Sequence, residues 1–124
     1  MDTHAAGQRY ERAAARGLER RGWRVLERNL RFGRREIDLV VRRGDVVAFV
    51  EVKGRRGRRF GHPLEAIGPG KRREIESVAR WWMARRWSGE GRPVVRFDAV
   101  AVLEDERRRL RIEHVPDAWR SGGP

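Results

Sequence analysis

The chain has no cysteine, which excludes a disulfide scaffold, a thiolate zinc site and a cysteine nucleophile together. Its three histidines, His4, His62 and His114, are scattered without ligand spacing, so any bound metal is expected to sit on oxygen. No apolar run approaches the roughly 20 residues of a membrane-spanning helix, and Met1-Asp2-Thr3-His4 lacks a basic-then-apolar leader pattern. A cytoplasmic protein with no membrane partner is expected. Lysine is also scarce: Lys53 and Lys71 are the only lysines among 30 basic residues. Both mark places where a compact ammonium serves and a permanently charged guanidinium does not.

What the chain has in abundance is arginine. The net charge is +12 over 124 residues, which points to a polyanionic partner, because neutralised phosphates release counterions. An arginine-rich surface without function is the plain alternative. The length suits one domain, expected over residues 1–120 with a frayed tail at 121–124.

Tyr10, Ala13, Ala14 and Leu18 recur at helical spacing from about Ala6 to Arg21, and Gly22 stands where a helix takes its left-handed terminal residue. Strands are expected at Trp23–Leu30, Glu36–Val41 and Val46–Lys53, with a turn around Arg42-Arg43-Gly44-Asp45. A loop rich in Gly and Arg runs from Gly54 to Gly61. After Pro69-Gly70, Ile75, Val78, Ala79, Trp82 and Met83 share the face of a second helix ending near Trp87. Val94–Leu103 and Leu110–Val115 complete an α/β domain with a mixed sheet flanked by helices.

In the third strand, Glu51 and Lys53 stand two residues apart at the end of an apolar run, on one face. A turn of two or four residues, with Arg42 opposite Asp45, sets Asp38 opposite Phe49 and Glu36 opposite Glu51, so that Glu36, Asp38, Glu51 and Lys53 share that face, whereas a three-residue turn puts Asp38 on the other. Asp38 and Glu51 are then diagonal neighbours, within reach of one ion. Crowded carboxylates on a half-buried sheet need compensation, and a divalent cation supplies it. The catalytic candidates are therefore Asp38, Glu51 and Lys53, with Lys53 polarising water or holding transition-state charge. A simple Glu51–Lys53 ion pair on an exposed strand is the structural alternative.

At these residues the sequence resembles the PD-(D/E)XK nuclease superfamily, with an acid in one strand (Asp38) and D/E-x-K at the end of the next (Glu51-Val52-Lys53). More specifically it is similar to the YraN family of small bacterial proteins, whose core resembles Holliday-junction resolvases. The matching stretches are Gly7, Glu11 and Ala14, Gly22 before an aromatic, Arg28-Asn29-Leu30-Arg31, Glu36-Ile37-Asp38-Leu39-Val40, Phe49-Val50-Glu51-Val52-Lys53, Phe60-Gly61, Lys71 and Arg96-Phe97-Asp98. The resemblance implies a restriction-endonuclease-like αβββαβ core, a DNA substrate, Mg²⁺ or Mn²⁺ as cofactor, and a homodimer that cuts two strands. It makes Glu11 a candidate for the metal shell, alongside Asp38, Glu51, the Val52 backbone carbonyl and Glu36. Arg35 and Tyr10 occupy positions that the family often fills with Gly.

Lys71 opens the second helix, where it and the helix N-terminus suit a phosphate. Arg55, Arg56, Arg58 and Arg59 follow the catalytic strand and suit a phosphate clamp. Trp81, Trp82 and Trp87 read as packing residues, Asp98 as structural, and His62 and His114 carry no assignment. The function expected is metal-dependent endonuclease action on branched or single-stranded DNA. A binding module that keeps the fold but does not cleave alone is the alternative.

Overall fold

Gly22 adopts φ +90°, and its amide bonds to the Glu19 carbonyl while that of Trp23 bonds to Leu18. This paired closure satisfies the last carbonyls of the first helix and turns the chain into the sheet. The computed structural model describes residues 3–57, 65 and 67–121, with side chains from residue 6 onward. Its elements are α1 (Thr3–Arg20), β1 (Arg24–Phe32), β2 (Arg35–Arg43), β3 (Val46–Arg56), α2 (Pro69–Arg85), β4 (Val94–Glu104) and β5 (Leu110–Trp119).

The five strands lie in sequence order. All neighbours are antiparallel except β3 and β4, which run parallel and are joined through α2. Ala14, Ala15 and Leu18 of α1 pack on Val50, Val52, Val100 and Val102. Ile75, Val78, Ala79 and Trp82 of α2 pack on Val47, Phe49, Phe97 and Ala99. The strand period of two thus sends alternate residues to helices on opposite faces. The result is a mixed α/β sheet compatible with a restriction-endonuclease-like core. No helix among the described residues is long and apolar enough to cross a membrane.

Several boundaries differ from those the sequence suggests. Strand β5 passes Pro116 and ends at Trp119, because an edge strand tolerates a missing donor and Asp117 takes φ +52° beside a register shift. Strand β3 includes Arg55 and Arg56, which are therefore not loop residues. Arg58, Arg59 and His62, like the tail at 122–124, lie outside the described residues. Helix α2 stops at Arg85 rather than near Trp87.

Asp98 is fully buried and structural. Arg96 donates two bonds to it at 2.8 and 2.9 Å, the Asp117 amide donates at 3.0 Å, and His114 Nε2 lies 2.7 Å away. Burial pushes its pKa up, but His114, Arg96 and the Asp117 amide outweigh burial and hold it below the ordinary value. This knot gives His114 its role, anchoring β5 to β4.

Tyr10 fills a contact that fixes α1 against the sheet. Its ring lies so close to Gly54 that an added Cβ would sit 1.9 Å from Tyr10 Cδ2. Its hydroxyl donates to Glu104 Oε1 at 2.8 Å, and Arg9 donates to Oε2 at 2.8 Å. Gly54→Ala is expected to displace the ring and destabilise the fold by about 1–3 kcal/mol. Urea denaturation checks it, and an unchanged midpoint would show that the ring moves away freely.

Candidate active site

The turn between β2 and β3 is the two residues Gly44 and Asp45, with Arg43 paired to Val46 and Val40 to Phe49. Gly44 supplies the positive φ of +60° that such a turn needs. The pairing of Asp38 with Phe49 and of Glu36 with Glu51 is therefore corrected by two residues. The ladder ends at Leu39 and Val50, although both strands continue. Asp38 and Glu51 stand next in register, just beyond the last pair.

Simple alternation also fails at this point. Ile37 and Val40 both belong to the core under α2, whereas Leu39 and Val41 belong to the core under α1. The step falls opposite Asn29, whose φ of +50° interrupts the β1–β2 pairing between Arg28–Leu39 and Leu30–Ile37. Asn adopts this left-handed conformation more readily than most residues. Glu36 and Asp38 consequently do not share a face with Glu51 and Lys53. They turn toward α1, where carboxylate oxygens of Glu11, Glu36 and Asp38 lie within 4.8 Å of one another.

Asp38 joins this group to Glu51 through the gap between the strands. Its Oδ2 accepts from the Val52 amide at 2.8 Å, a bond that takes the place of the lost ladder. In an extended strand a residue's N–H and C=O point to the same side, so the Val52 carbonyl faces the same gap. Glu51 sits on the α2 face, its side chain only 5% exposed, with Lys53 Nζ 3.7 Å from Oε1 and Lys71 Nζ 3.9 Å from Oε2. At hydrogen-bond distance Oε2 has no partner.

The electrostatics reflect this crowding. Burial first and the charge of Asp38 second push the Glu51 carboxyl up to about 8, against the opposing pull of Lys71 and Lys53. Burial also pushes Glu11 up to about 7, reinforced by Asp38 and Glu36, while a hydrogen bond with Asn29 opposes the rise. Asn29 is a site residue to which sequence reasoning assigned no role. Its signal was an amide side chain inside a strand, a residue type that favours turns.

Half-buried oxygens of Glu11, Glu36 and Asp38 beside the buried Glu51 are of the kind that fits a hard divalent cation. Among the described residues the acids gathered closely enough to share one ion are Glu11, Glu36 and Asp38, and the expected partner Glu51 is not in that group. Lys71 joins the site by touching Glu51 rather than by standing apart on the helix. Arg55, half-buried, pairs with Leu103 in the ladder, and Arg56 is exposed at the end of β3.

The model of "Uncharacterised protein family UPF0102" matches residues 10–102. The chain belongs to this family, the YraN family. Its UPF0102 relatives include a protein of Symbiobacterium thermophilum, 42% identical over 115 residues that span 93% of this chain and 96% of the relative. Another, from Chlorobium limicola, is 38% identical over 128 residues and 98% of each chain. A third, from Rhodococcus opacus, is 41% identical over 118 residues, 93% of this chain and 96% of the relative. The segment that defines UPF0102 here contains Glu11, Glu36, Asp38, Glu51, Lys53 and Lys71.

Proposed function

We propose that this UPF0102 chain is a metal-dependent endonuclease that hydrolyses DNA phosphodiesters. The observation that carries the reading is Glu51, a buried carboxylate with one oxygen that accepts no hydrogen bond, set between Asp38 and two ammonium groups. Burying acids beside each other is costly, and a bound cation would offset that cost. A bound Mg²⁺ or Mn²⁺ would supply Lewis-acid polarisation of the phosphate and a more acidic water at neutral pH.

Asp38, Glu51 and the Val52 carbonyl would hold that ion, with Glu11 and Glu36 supporting Asp38. The Val52 amide fixes the Asp38 carboxylate, so one ligand is oriented by the backbone of the strand that carries another. Lys53 Nζ is partly exposed at the mouth of the site. From there it donates to a phosphate oxygen as negative charge builds, and orients the attacking water. Lys71 lies on the other side of Glu51 and donates to the neighbouring phosphate oxygen. Arg56, Arg58 and Arg59 follow in sequence as phosphate contacts along the strand.

The test is cleavage of labelled single-stranded, duplex, flapped and four-way-junction DNA with Mg²⁺, Mn²⁺ or chelator. Scission that requires metal is expected, and the preferred form identifies the substrate. Binding that persists in chelator without scission under either metal would replace the enzyme by a binding module.

A further inference from the structure

Helix α2 packs over β2, β3 and the body of β4, where Phe97 and Ala99 are buried. Beside its C-terminal half, where β4 begins and β5 ends, lies an open groove of about 920 Å³. Met83 and Val95 line it with the largely buried Trp119 beneath, Val94 stands at its edge, and Glu76 and Asp117 are among its polar residues. Val94 and Val95 are 53% and 39% exposed, an unusual degree for adjacent strand valines. Arg80, Arg92 and Arg120 stand around the groove. Arg120 is shared with Asp117, but Arg80 and Arg92 are exposed and have no ion-pair or hydrogen-bond partner among the described residues.

An apolar floor inside an unpaired cationic rim fits a ligand that is flat and apolar in its body and anionic at its edge. We propose that this groove binds an unstacked nucleotide of the DNA strand engaged at the Asp38–Glu51 site, its base against Met83 and Val95 and its phosphate at Arg80 and Arg92. The proposal rests on the nuclease reading above. A second copy of the chain is disfavoured as occupant, because apposed rims would bring like charges together.

The fold sets the span. Lys71, at the active site, and Met83, on the groove floor, belong to one helix, about 18 Å apart at 1.5 Å per residue. A stacked strand rising about 3.4 Å per nucleotide covers this in roughly five nucleotides. Oligonucleotides shorter than that fill one site only, and longer ones bridge both, with the gain expected from linked binding.

Fluorescence anisotropy in chelator, with labelled oligothymidylates of about 4 and about 12 nucleotides, tests the groove. The wild type is expected to bind the longer strand at least tenfold more tightly. The doubly substituted Arg80→Glu, Arg92→Glu protein is expected to lose that gain while keeping its affinity for the short strand. Unchanged affinity for the longer strand, or equal loss on both lengths, overturns the groove and leaves the nuclease reading intact. A wild type that binds neither length overturns both. Sedimentation supplies a further outcome: a dimer that Val95→Glu dissociates would assign the groove to a second copy and overturn the proposal.

Discussion

Asp38→Ala is expected to abolish metal-dependent DNA scission and to weaken Mn²⁺ binding, measured by calorimetry, by at least tenfold. Asp38 lies between Glu51 and the Glu11–Glu36 pair and is held by the Val52 amide. Its removal takes away a donor common to both sides of the gap and frees that amide. Lys53→Ala separates binding from chemistry. It removes no oxygen donor, so Mn²⁺ affinity should persist while the cleavage rate falls by about 10²–10³-fold, the usual cost of losing one transition-state donor. Cleavage that survives both substitutions would sink the catalytic assignment. Equal loss of metal affinity in both variants would instead make Lys53 a structural partner of Glu51.

The second large effect is on stability against pH. Glu51 has a folded pKa near 8 against an ordinary value of 4.5, so in metal-free protein the folded state holds a proton that the unfolded state has released. Stability from this group is fully present below about pH 4.5 and is lost as pH rises through 8. Glu11, raised to about 7, acts in the same direction. Glu51→Gln mimics the protonated form. It should melt near the wild type at pH 5 in chelator and exceed it at alkaline pH, by on the order of 2 kcal/mol, or about 8 °C. Mg²⁺ should narrow the difference by stabilising only the wild type. A constant difference across pH would show that Glu51 is ionised in the folded protein throughout.

The elements that follow local rules were legible in the sequence. Gly22 ended a helix because only a left-handed residue closes that turn, and Val46–Lys53 was a strand by composition and alternation. Glu51 and Lys53 stand out by their spacing in one strand, and Asp38 by the hairpin pairing and the family resemblance. The hairpin was misplaced because Gly44 can serve as the first or the second turn residue, and no local preference separates registers that differ by two. Period-two alternation holds through β3 but breaks in β2, where Ile37 and Leu39 face opposite sides. There, Asn29 on the neighbouring strand rotates the chain, and no pattern within β2 records a distortion imposed from β1. The continuation of β5 past Pro116 was hidden for a related reason: proline excludes a central strand but not an edge, and edge position is a property of the whole sheet. The joining of Lys71 to Glu51 required the crossover of α2 to be known.

The early end of the β2–β3 ladder makes this active site depend on a hairpin that stays partly unzipped. A sheet lowers its energy by pairing backbones, and residues 36–38 lie next to a free length of β3 that invites pairing. The Asp38 carboxylate prevents closure by occupying the Val52 amide itself, and the turned backbone at Asn29 keeps β2 from lying flat. The fold is therefore wedged open at the candidate site. The same acid that would hold the cation also keeps open the space into which the cation must fit.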